Sequence, residues 1–277
     1  MRDAAALLRE KGNILPYKAV VVDEAQDMGA QAFTLIREMI PGGDQINDIF
    51  IVGDAHQRIY RHKVILSQCG INIKGRGKKL KINYRTTEEN RQWAVNLLKG
   101  IPFDDLDDGS DDHSGYKSLI HGIAPRVEIL ISFQEEIDFI MDYLSAFEKK
   151  HGYLNDICLV ARTKKLLKQY EGALTDRGID YYYIQKNEAE DRRKQGVRLA
   201  TMHRVKGLEF DRVIIASAND GIIPLENEFS KTEDAIILKE NEIRERALLY
   251  VAATRAKKEV IVTGYGKPSR FLEKDKS

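Results

Sequence analysis

Short apolar runs alternate with segments of helical periodicity along the whole chain. The runs Ala19–Val22, Ile49–Val52 and Leu80–Asn83 have the length of buried strands. Between the first two, Met28–Ile40 places apolar residues at helical spacing and stops at Pro41. Strands that alternate with helices predict an α/β fold built on parallel sheets.

The same alternation continues in the second half. Further strands are predicted at Val127–Ile131, Asp156–Ala161, Tyr181–Ile184, Val197–Met202, Val213–Ala216 and Val260–Thr263. Thr86 with Glu89, and Ser132 with Glu135, have the capping-box spacing that begins a helix. Glu240–Ala256 is strongly helical in composition and spacing.

An acidic segment separates the two halves. The ten residues from Asp104 to His113 contain six aspartates, a composition typical of a linker. We therefore expect two domains, residues 1–103 and residues 114–277, of ordinary domain size.

The charge balance narrows the function classes. The 277 residues contain 44 Lys and Arg against 43 Asp and Glu, a formal net charge of +1. A uniformly basic nucleic-acid coat protein is thereby excluded, so nucleic-acid binding would need a local patch. No apolar run approaches the ~18 residues that span a bilayer, and the first residues do not have the form of a signal peptide. Cys69 and Cys158 form no framework or metal-ligand pattern, which favours a cytoplasmic protein.

The most informative string is Ala19–Asp27, a predicted buried strand that ends in Asp23 and Glu24. Acids at the carboxyl end of a strand lie where α/β sheets bind ligands. In a nucleotide hydrolase the first acid holds Mg²⁺ and the second orients or deprotonates the attacking water. For a bare Asp-Glu pair, an ordinary acidic turn into a helix is equally compatible. Gln26 and Asp27 make the string more specific.

Four further strings follow in order: Ile49–Tyr60, Asn83–Thr86, Thr201–Phe210 and Leu249–Ala256. Together with Ala19–Asp27 they resemble motifs II, III, IV, V and VI of the UvrD/Rep-like superfamily 1A helicases. The resemblance extends over roughly residues 17–265. It implies two RecA-like P-loop NTPase lobes with parallel sheets, the first lobe truncated.

The resemblance implies ATP and Mg²⁺ as ligands, with motif II and motif III residues at the phosphates. Asp23 would be the metal ligand and Glu24 would activate water. Gln57 would sense the γ-phosphate, and Gly53 and Asp54 belong to the same Gly-Asp-x-x-Gln pattern at the nucleotide.

Motifs IV, V and VI complete the implied nucleotide site. Tyr84 would stack on adenine, and Arg85 and Arg255 would reach the γ-phosphate. Glu209 would contact the ribose or the phosphate edge. Phosphoryl transfer needs such a charge clamp, because positioning and electrostatics stabilise its transition state.

The family's other ligand is single-stranded or partly duplex DNA. Thr201, His203 and Arg204 match motif V, and the resemblance implies that they contact phosphates. His62 stands where many relatives carry a tryptophan that stacks on a base. Its imidazole offers less stacking area.

A Walker A string, G-x-x-x-x-G-K-[ST], is absent from these 277 residues. Gly70–Lys79 has glycine spacing that is half right, but Arg76 follows Gly75 and no Ser or Thr follows a Gly-Lys pair. We interpret it as a basic loop that contacts nucleic acid or is simply solvated. The chain is therefore expected to be the carboxyl-terminal part of a longer enzyme, with exposed apolar surface on the truncated lobe. The missing P-loop region would be supplied in cis or by another chain, and a degenerate product without hydrolysis is the third possibility.

Three function classes follow from these strings. The first is a fragment of an ATP-dependent DNA helicase or translocase, with a compact second lobe that lacks a large inserted subdomain. The second is a non-catalytic module that binds nucleic acid or protein. The third is a metal nuclease that uses Asp23, Glu24 and Asp27, although the sequence offers no further acid set at suitable spacing.

Overall fold

The computed structural model describes residues 1–12, 15–40, 47–59, 64–101, 103–104, 110–111, 115–185, 191, 193–229 and 233–272. The helices are α1 (Arg2–Lys11), α2 (Ala30–Glu38), α3 (Glu88–Asn96), α4 (Phe133–His151), α5 (Lys164–Asp176), α6 (Glu226–Phe229) and α7 (Ala235–Ala253). The strands are β1 (Val20–Val22), β2 (Ile49–Ile51), β3 (Ile82–Thr87), β4 (Phe103–Asp104), β5 (Ser110–Asp111), β6 (Lys117–Ile120), β7 (Arg126–Leu130), β8 (Ile157–Ala161), β9 (Tyr181–Tyr183), β10 (Val197–Thr201), β11 (Phe210–Ile215) and β12 (Ala256–Tyr265).

By its internal contacts the chain divides into two compact units. Unit 1 comprises Met1–Leu80 and Gly100–Ser114, and unit 2 comprises Lys81–Lys99 and Gly115–Ser277. The segment with β3 and α3, predicted within the first domain, packs in unit 2, where β3 pairs with β6. The predicted boundaries of the helicase lobes stay a prediction.

Unit 2 is built on a six-stranded sheet in the order β7-β12-β11-β8-β10-β9. Every neighbouring pair in it is parallel. All five residues of β8 are buried, as expected of a strand covered on both faces. The predicted α/β class with parallel sheets is confirmed.

The apolar stripe of α4 forms the main core of unit 2. Ile140, Met141 and Leu144 are fully buried there and pack with residues of β8 and α5. Ser132 caps the helix as predicted, since its side chain accepts a hydrogen bond from the Glu135 amide. Gly152 ends the helix in the left-handed conformation, which glycine adopts without steric cost.

Unit 1 contains a two-stranded parallel sheet of β1 and β2, with Val20 opposite Ile49. One face of the sheet packs against α2 through a cluster that includes Val22, Phe33 and Leu66. The salt bridge between Arg37 and Asp48 joins α2 to the residue before β2, at 2.5 and 3.0 Å. Hydrogen bonding from Arg37 outweighs burial and lowers the pKa of Asp48.

Apolar side chains also remain exposed on this sheet. Val21 is 74% and Phe50 is 64% exposed, and Val52 directly after β2 is exposed as well. Because alternate residues of a strand face opposite sides, Val21 lies on the face away from buried Val22. The expectation of uncovered apolar surface in the first lobe agrees with this exposure.

Two local expectations are wrong. The third strand begins at Ile82 and continues to Thr87, beyond the predicted Asn83. The cap of α3 is Thr87 rather than Thr86, since the Thr87 side chain accepts from the Asn90 amide.

Among the described residues, we find no helix that combines the length and apolar character needed to cross a membrane.

Candidate nucleotide and nucleic-acid site

The acidic turn, residues 23–27, follows β1 directly. Glu24 has φ 52° and ψ 40°, a left-handed conformation that is uncommon outside glycine. Such strain costs on the order of 1 kcal/mol and concentrates at functional sites. The Asp23 carboxylate stabilises the turn by accepting a 2.8 Å hydrogen bond from the Glu24 amide.

Gln26 links the acidic turn to the segment after β2. Its amide nitrogen donates to the Glu24 carboxylate at 2.5 Å, and its oxygen accepts from the Asp54 amide at 2.9 Å. The Ala25 amide donates to the Val52 carbonyl at 3.0 Å, which adds a backbone link. Gln26 is 2% exposed, so the bridge is shielded from competing water. The role of Gln26 as a bridge was not predicted.

Asp54 continues the network to Gln57. Its carboxylate accepts from the Gln57 side-chain amide at 2.9 Å and from the His56 amide at 2.9 Å. The His56 ring lies 3.1 Å from the same carboxylate. Burial alone would raise the pKa of Asp54, but the hydrogen bonds and charge of His56, with the Gln57 amide, lower it on balance. Asp54 therefore acts as an ionised acceptor that orients Gln57.

Unit 1 thus brings together the predicted residues Asp23, Glu24, Asp54 and Gln57, with Gly53 exposed beside Asp54. Each comes from the carboxyl end of β1 or β2, the edge where ligands bind in α/β sheets. His62 lies outside the described residues.

A bulge in β3 presents Tyr84 and Arg85. The Asn83 side-chain oxygen accepts from the amides of Arg85 and Thr86, at 2.7 and 3.2 Å. The pairing with β6 shifts register between Asn83 and Thr87. Because a bulge re-aims side chains, Tyr84 is 69% exposed.

Arg85 belongs to an ionic cluster in unit 2, here called the Glu209 cluster: Arg85, Glu209 and Lys257. Arg85 Nε lies 2.8 Å from one Glu209 oxygen, and Lys257 Nζ lies 3.3 Å from the other. Arg85 and Glu209 both remain partly exposed, so water screens the pair and a competing anion can reach it.

A backbone hydrogen bond holds Arg255 near this cluster. The Arg255 carbonyl accepts from the amide of Phe210, the residue after Glu209, at 3.0 Å. Its guanidinium is turned back onto α7, where Nε donates to the Val251 carbonyl at 3.1 Å. The residue is 3% exposed, in contrast to Arg85. The two predicted arginine fingers therefore differ: one is accessible and the other is buried.

The α3 segment that follows the bulge is held by two glutamates. Glu88 accepts from Arg91 at 2.5 and 2.8 Å and from the Ser118 amide at 2.6 Å. The hydrogen bonds from Arg91 outweigh burial and lower the pKa of Glu88 to about 2. Glu89 accepts from the Gly122 amide at 2.8 Å. The contacts to the Ser118 and Gly122 amides were not predicted, because they join residues 30 and 33 positions apart.

The motif V residues lie in the turn after β10. The Thr201 carbonyl accepts from the Arg204 amide at 2.8 Å, and Arg204 Nε donates to the Gln185 carbonyl at 2.7 Å. Met202 and Val205 are fully buried, and they anchor the turn while His203 remains partly exposed.

The Arg162–Glu245 ion pair fixes α7 against the carboxyl end of β8. The two side chains form a bidentate pair at 2.6 and 3.0 Å. Glu245 also accepts from the Leu225 amide at 3.1 Å and is 1% exposed. A buried pair of this geometry fixes the helix that ends at Ala253, two residues before Arg255.

Two family models match the chain. The UvrD/REP helicase N-terminal domain matches residues 11–64, and the UvrD-like helicase C-terminal domain matches residues 184–267. The first match contains the acidic turn and Gln57, and the second contains Glu209 and Arg255.

Curated DNA helicases are similar to this chain over different shares of its length. DNA helicase IV of Escherichia coli K12 is 26% identical over 97% of this chain and 37% of its own length. The ATP-dependent DNA helicase Rep of Buchnera aphidicola subsp. Schizaphis graminum is 38% identical over 38% of this chain and 16% of its own length. The chain thus spans little more than a third of the first relative and less of the second. A crystal structure of the C-terminal domain of a possible DNA helicase from Lactobacillus plantarum WCFS1 matches with a TM-score of 0.47 at 22% identity, covering 69% of this chain and 92% of that one.

The two family matches fall in the same order as the motif strings, and they confirm the resemblance on which the site was built. Over these two segments the chain is similar to the UvrD/Rep-like helicases.

Proposed function

We propose that this chain carries motifs II to VI of an ATP-dependent DNA helicase or translocase. The complete enzyme couples Mg-ATP hydrolysis to movement on single-stranded DNA in the cytoplasm. The observation that carries the proposal is the hydrogen-bonded path from Glu24 through Gln26 and Asp54 to Gln57. It joins the acid suited to activating water to the amide suited to sensing phosphate, as phosphoryl transfer requires.

Magnesium fits the donor set at the acidic turn. Among the described residues, no three His, Cys, Asp or Glu side chains gather into a metal site. Mg²⁺ is commonly held by one or two carboxylates with phosphates and water, so the exposed Asp23 carboxylate is a suitable ligand. The ion would neutralise phosphate charge when bound. Glu24 would then orient or deprotonate the attacking water, with its carboxylate held by Gln26.

The other predicted contacts to ATP belong to residues of unit 2. The exposed ring of Tyr84 suits stacking on adenine, and Arg85 would leave Glu209 for the γ-phosphate. Glu209 would then be released to the ribose or phosphate edge, and Arg255 would act from the end of α7. Thr201, His203 and Arg204 would contact DNA phosphates from the turn after β10, together with His62 as a stacking residue.

The phosphate-cradling loop must come from outside these 277 residues, because they contain no Walker A string. Exposed Val21 and Phe50 support this part of the proposal, since a further sheet element or helix would cover them. The P-loop region would be supplied in cis or by another chain, and the chain alone would not turn over ATP.

A chimera tests the proposal. The region of DNA helicase IV that precedes the matched part would be fused to this chain. We expect DNA-stimulated ATP turnover by the chimera, its loss with Glu24→Gln, and none by the chain alone. Turnover by the chain alone that Glu24→Gln abolishes would refute the need for an external P-loop.

The missing Walker A string also favours a second candidate, a non-catalytic module that binds nucleic acid or protein. A folded chimera that binds single-stranded DNA equally with and without Glu24→Gln, and that never hydrolyses ATP, would establish this candidate instead.

A further inference from the structure

The basic loop, Gly70–Lys79, concentrates positive charge in a chain that is nearly neutral overall. Lys74, Arg76, Lys78 and Lys79 lie within six residues, and no Asp or Glu occurs anywhere between residues 64 and 87. The net charge of the whole chain is only +1. The loop is therefore a local basic patch of the kind that nucleic-acid binding by this chain would require.

The base of the loop is anchored and its tip is solvated. Cys69 and Ile71 are buried in the core of unit 1, and Ile73 packs against the same cluster. A turn follows in which the Arg76 amide donates to the Ile73 carbonyl at 2.9 Å. Residues 74–80 are all exposed. The anchored base limits the entropy that the tip would lose on binding.

Two lysines of the loop keep their positive charge available. Neither Lys74 nor Lys78 has an acidic partner within ion-pair distance among the described residues, and both are exposed. Arg76 NH1 donates to the Asn47 side-chain oxygen at 3.3 Å, and its charge also acts on Asp48, which Arg37 binds. Lys74 and Lys78 thus remain able to bind an external anion.

Two glycines, Gly75 and Gly77, alternate with the basic residues of the loop. The fold does not require a glycine at position 77. A Cβ at Gly77 would meet no atom within 4 Å, and its φ lies outside the range that favours glycine. Gly75 likewise has open space around it, although its φ of 73° favours glycine. Because glycine has no side chain, a ligand can approach the backbone closely at both positions.

We infer that the basic loop binds the sugar–phosphate backbone of single-stranded nucleic acid. The cations neutralise successive phosphates and release their counterions, while the glycines leave backbone amides open to phosphate oxygens. The inference rests on the proposed function, which makes single-stranded DNA a ligand of the chain. It adds a contact surface in unit 1 that belongs to none of the motif strings.

Binding of a fluorescein-labelled oligothymidylate, followed by anisotropy from ~50 to ~300 mM salt, tests this inference. The double variant Lys74→Gln, Lys78→Gln removes two phosphate contacts. Single strands contribute a slope of about −0.7 per contact, so the plot of log K against log salt should become less steep by ~1.4. If the variant and the unchanged chain bind equally at ~1 M salt, this change of slope weakens the binding of the variant at ~0.1 M salt by about 25-fold.

The matched control is Lys149→Gln, Lys150→Gln, which removes the same charge from an exposed helix end in unit 2. We expect its salt slope to equal that of the unchanged chain. An unaltered slope in the basic-loop variant, with binding intact in both, would overturn the inference and leave the proposed function standing. An unchanged chain that fails to bind the oligonucleotide at ~50 mM salt would overturn the inference, whereas the ATP turnover of the chimera would still decide the proposed function.

Discussion

Replacement of Glu88 by glutamine should destabilise unit 2 in a way that depends on pH. The Glu88 side chain is 13% exposed and accepts hydrogen bonds from Arg91, Gln92 and the Ser118 amide. A pKa of about 2, against the ordinary 4.5, corresponds to ~3 kcal/mol of stability at neutral pH. Glutamine keeps the shape of the side chain but loses the charge that binds Arg91.

The sign of the pH dependence follows from the lowered pKa. The stabilising contribution is complete above ~4.5, the pKa of the unfolded chain, and is lost as the pH falls toward ~2. The unchanged chain and Glu88→Gln should therefore differ by ~3 kcal/mol at pH ~7 and progressively less below pH ~4.5.

Urea unfolding followed by tryptophan fluorescence measures this difference. Trp93 is the single tryptophan of the chain and lies in α3 with Glu88, so its signal reports on the affected segment. At m-values of about 1–3 kcal/mol/M, the midpoint at neutral pH should fall by roughly 1 M or more. The neighbouring Glu89→Gln is the matched control, and its effect should be smaller because Glu89 is more exposed. A difference below ~1 kcal/mol at pH ~7, or one that does not shrink on acidification, would refute the reasoning.

Three further changes test other contacts. Gly122→Ala would put a Cβ 2.6 Å from Thr87 Cγ2, and we expect ~1–3 kcal/mol of destabilisation by urea unfolding followed through tryptophan fluorescence. Glu245→Gln leaves Arg162 buried without its counterion, and we expect a loss of ~3 kcal/mol, measured by circular dichroism during urea unfolding. Tyr84→Ala should leave stability within ~0.5 kcal/mol, because the ring is exposed, but should weaken binding of a fluorescent ATP analogue to the chimera with the P-loop region.

Each of these changes has a matched control. Gly172→Ala fills open space within α5 and should be neutral or slightly stabilising, so an equal loss at Gly122 and Gly172 would contradict the steric argument. Glu242→Gln alters the same helix at a more exposed ion pair and should cost less than Glu245→Gln. If the Tyr84→Ala chimera binds the fluorescent ATP analogue as tightly as the unchanged chimera, the proposed stacking of Tyr84 on adenine is contradicted.

The Glu209 cluster connects the arginines to the proposed nucleotide cycle. Arg85 is paired with Glu209 and is accessible, whereas the guanidinium of Arg255 is bonded to its own helix. Delivery of both arginines to one phosphate therefore requires each to exchange a protein acceptor for a phosphate oxygen. The cluster offers a physical reason why unit 2 would respond to bound ATP.

Several elements were predictable because their signals are local. The fully buried β8 and the capped α4 follow from a continuous apolar run and from Ser132 with Glu135. The long helix α7 was also expected, although it starts earlier, at the Asp234 cap. In contrast, β6 was missed because the sequence Lys117–Ile120 has no strand signal of its own and pairs only through β3.

The extent of β12 shows the same limit. Its predicted core, Val260–Thr263, is apolar, but the strand begins at Ala256 with Lys257, Lys258 and Glu259. Because these residues are charged, the pattern of apolar positions does not predict that they belong to a strand. They are accommodated because each has an ion partner on another segment: Glu209, Asp211 and Arg212.

The sequence by itself determined the class of the fold and predicted which residues would carry the chemistry, because strand runs, caps and motif strings are formed by neighbours in the chain. Only the tertiary structure decided how those residues are held. Gln26 reaches Asp54, Arg85 meets Glu209, and Glu88 binds the Ser118 amide only when distant segments pack together. Hydrogen bonds and ion pairs depend on distance and direction to within tenths of an ångström, and packing alone sets these.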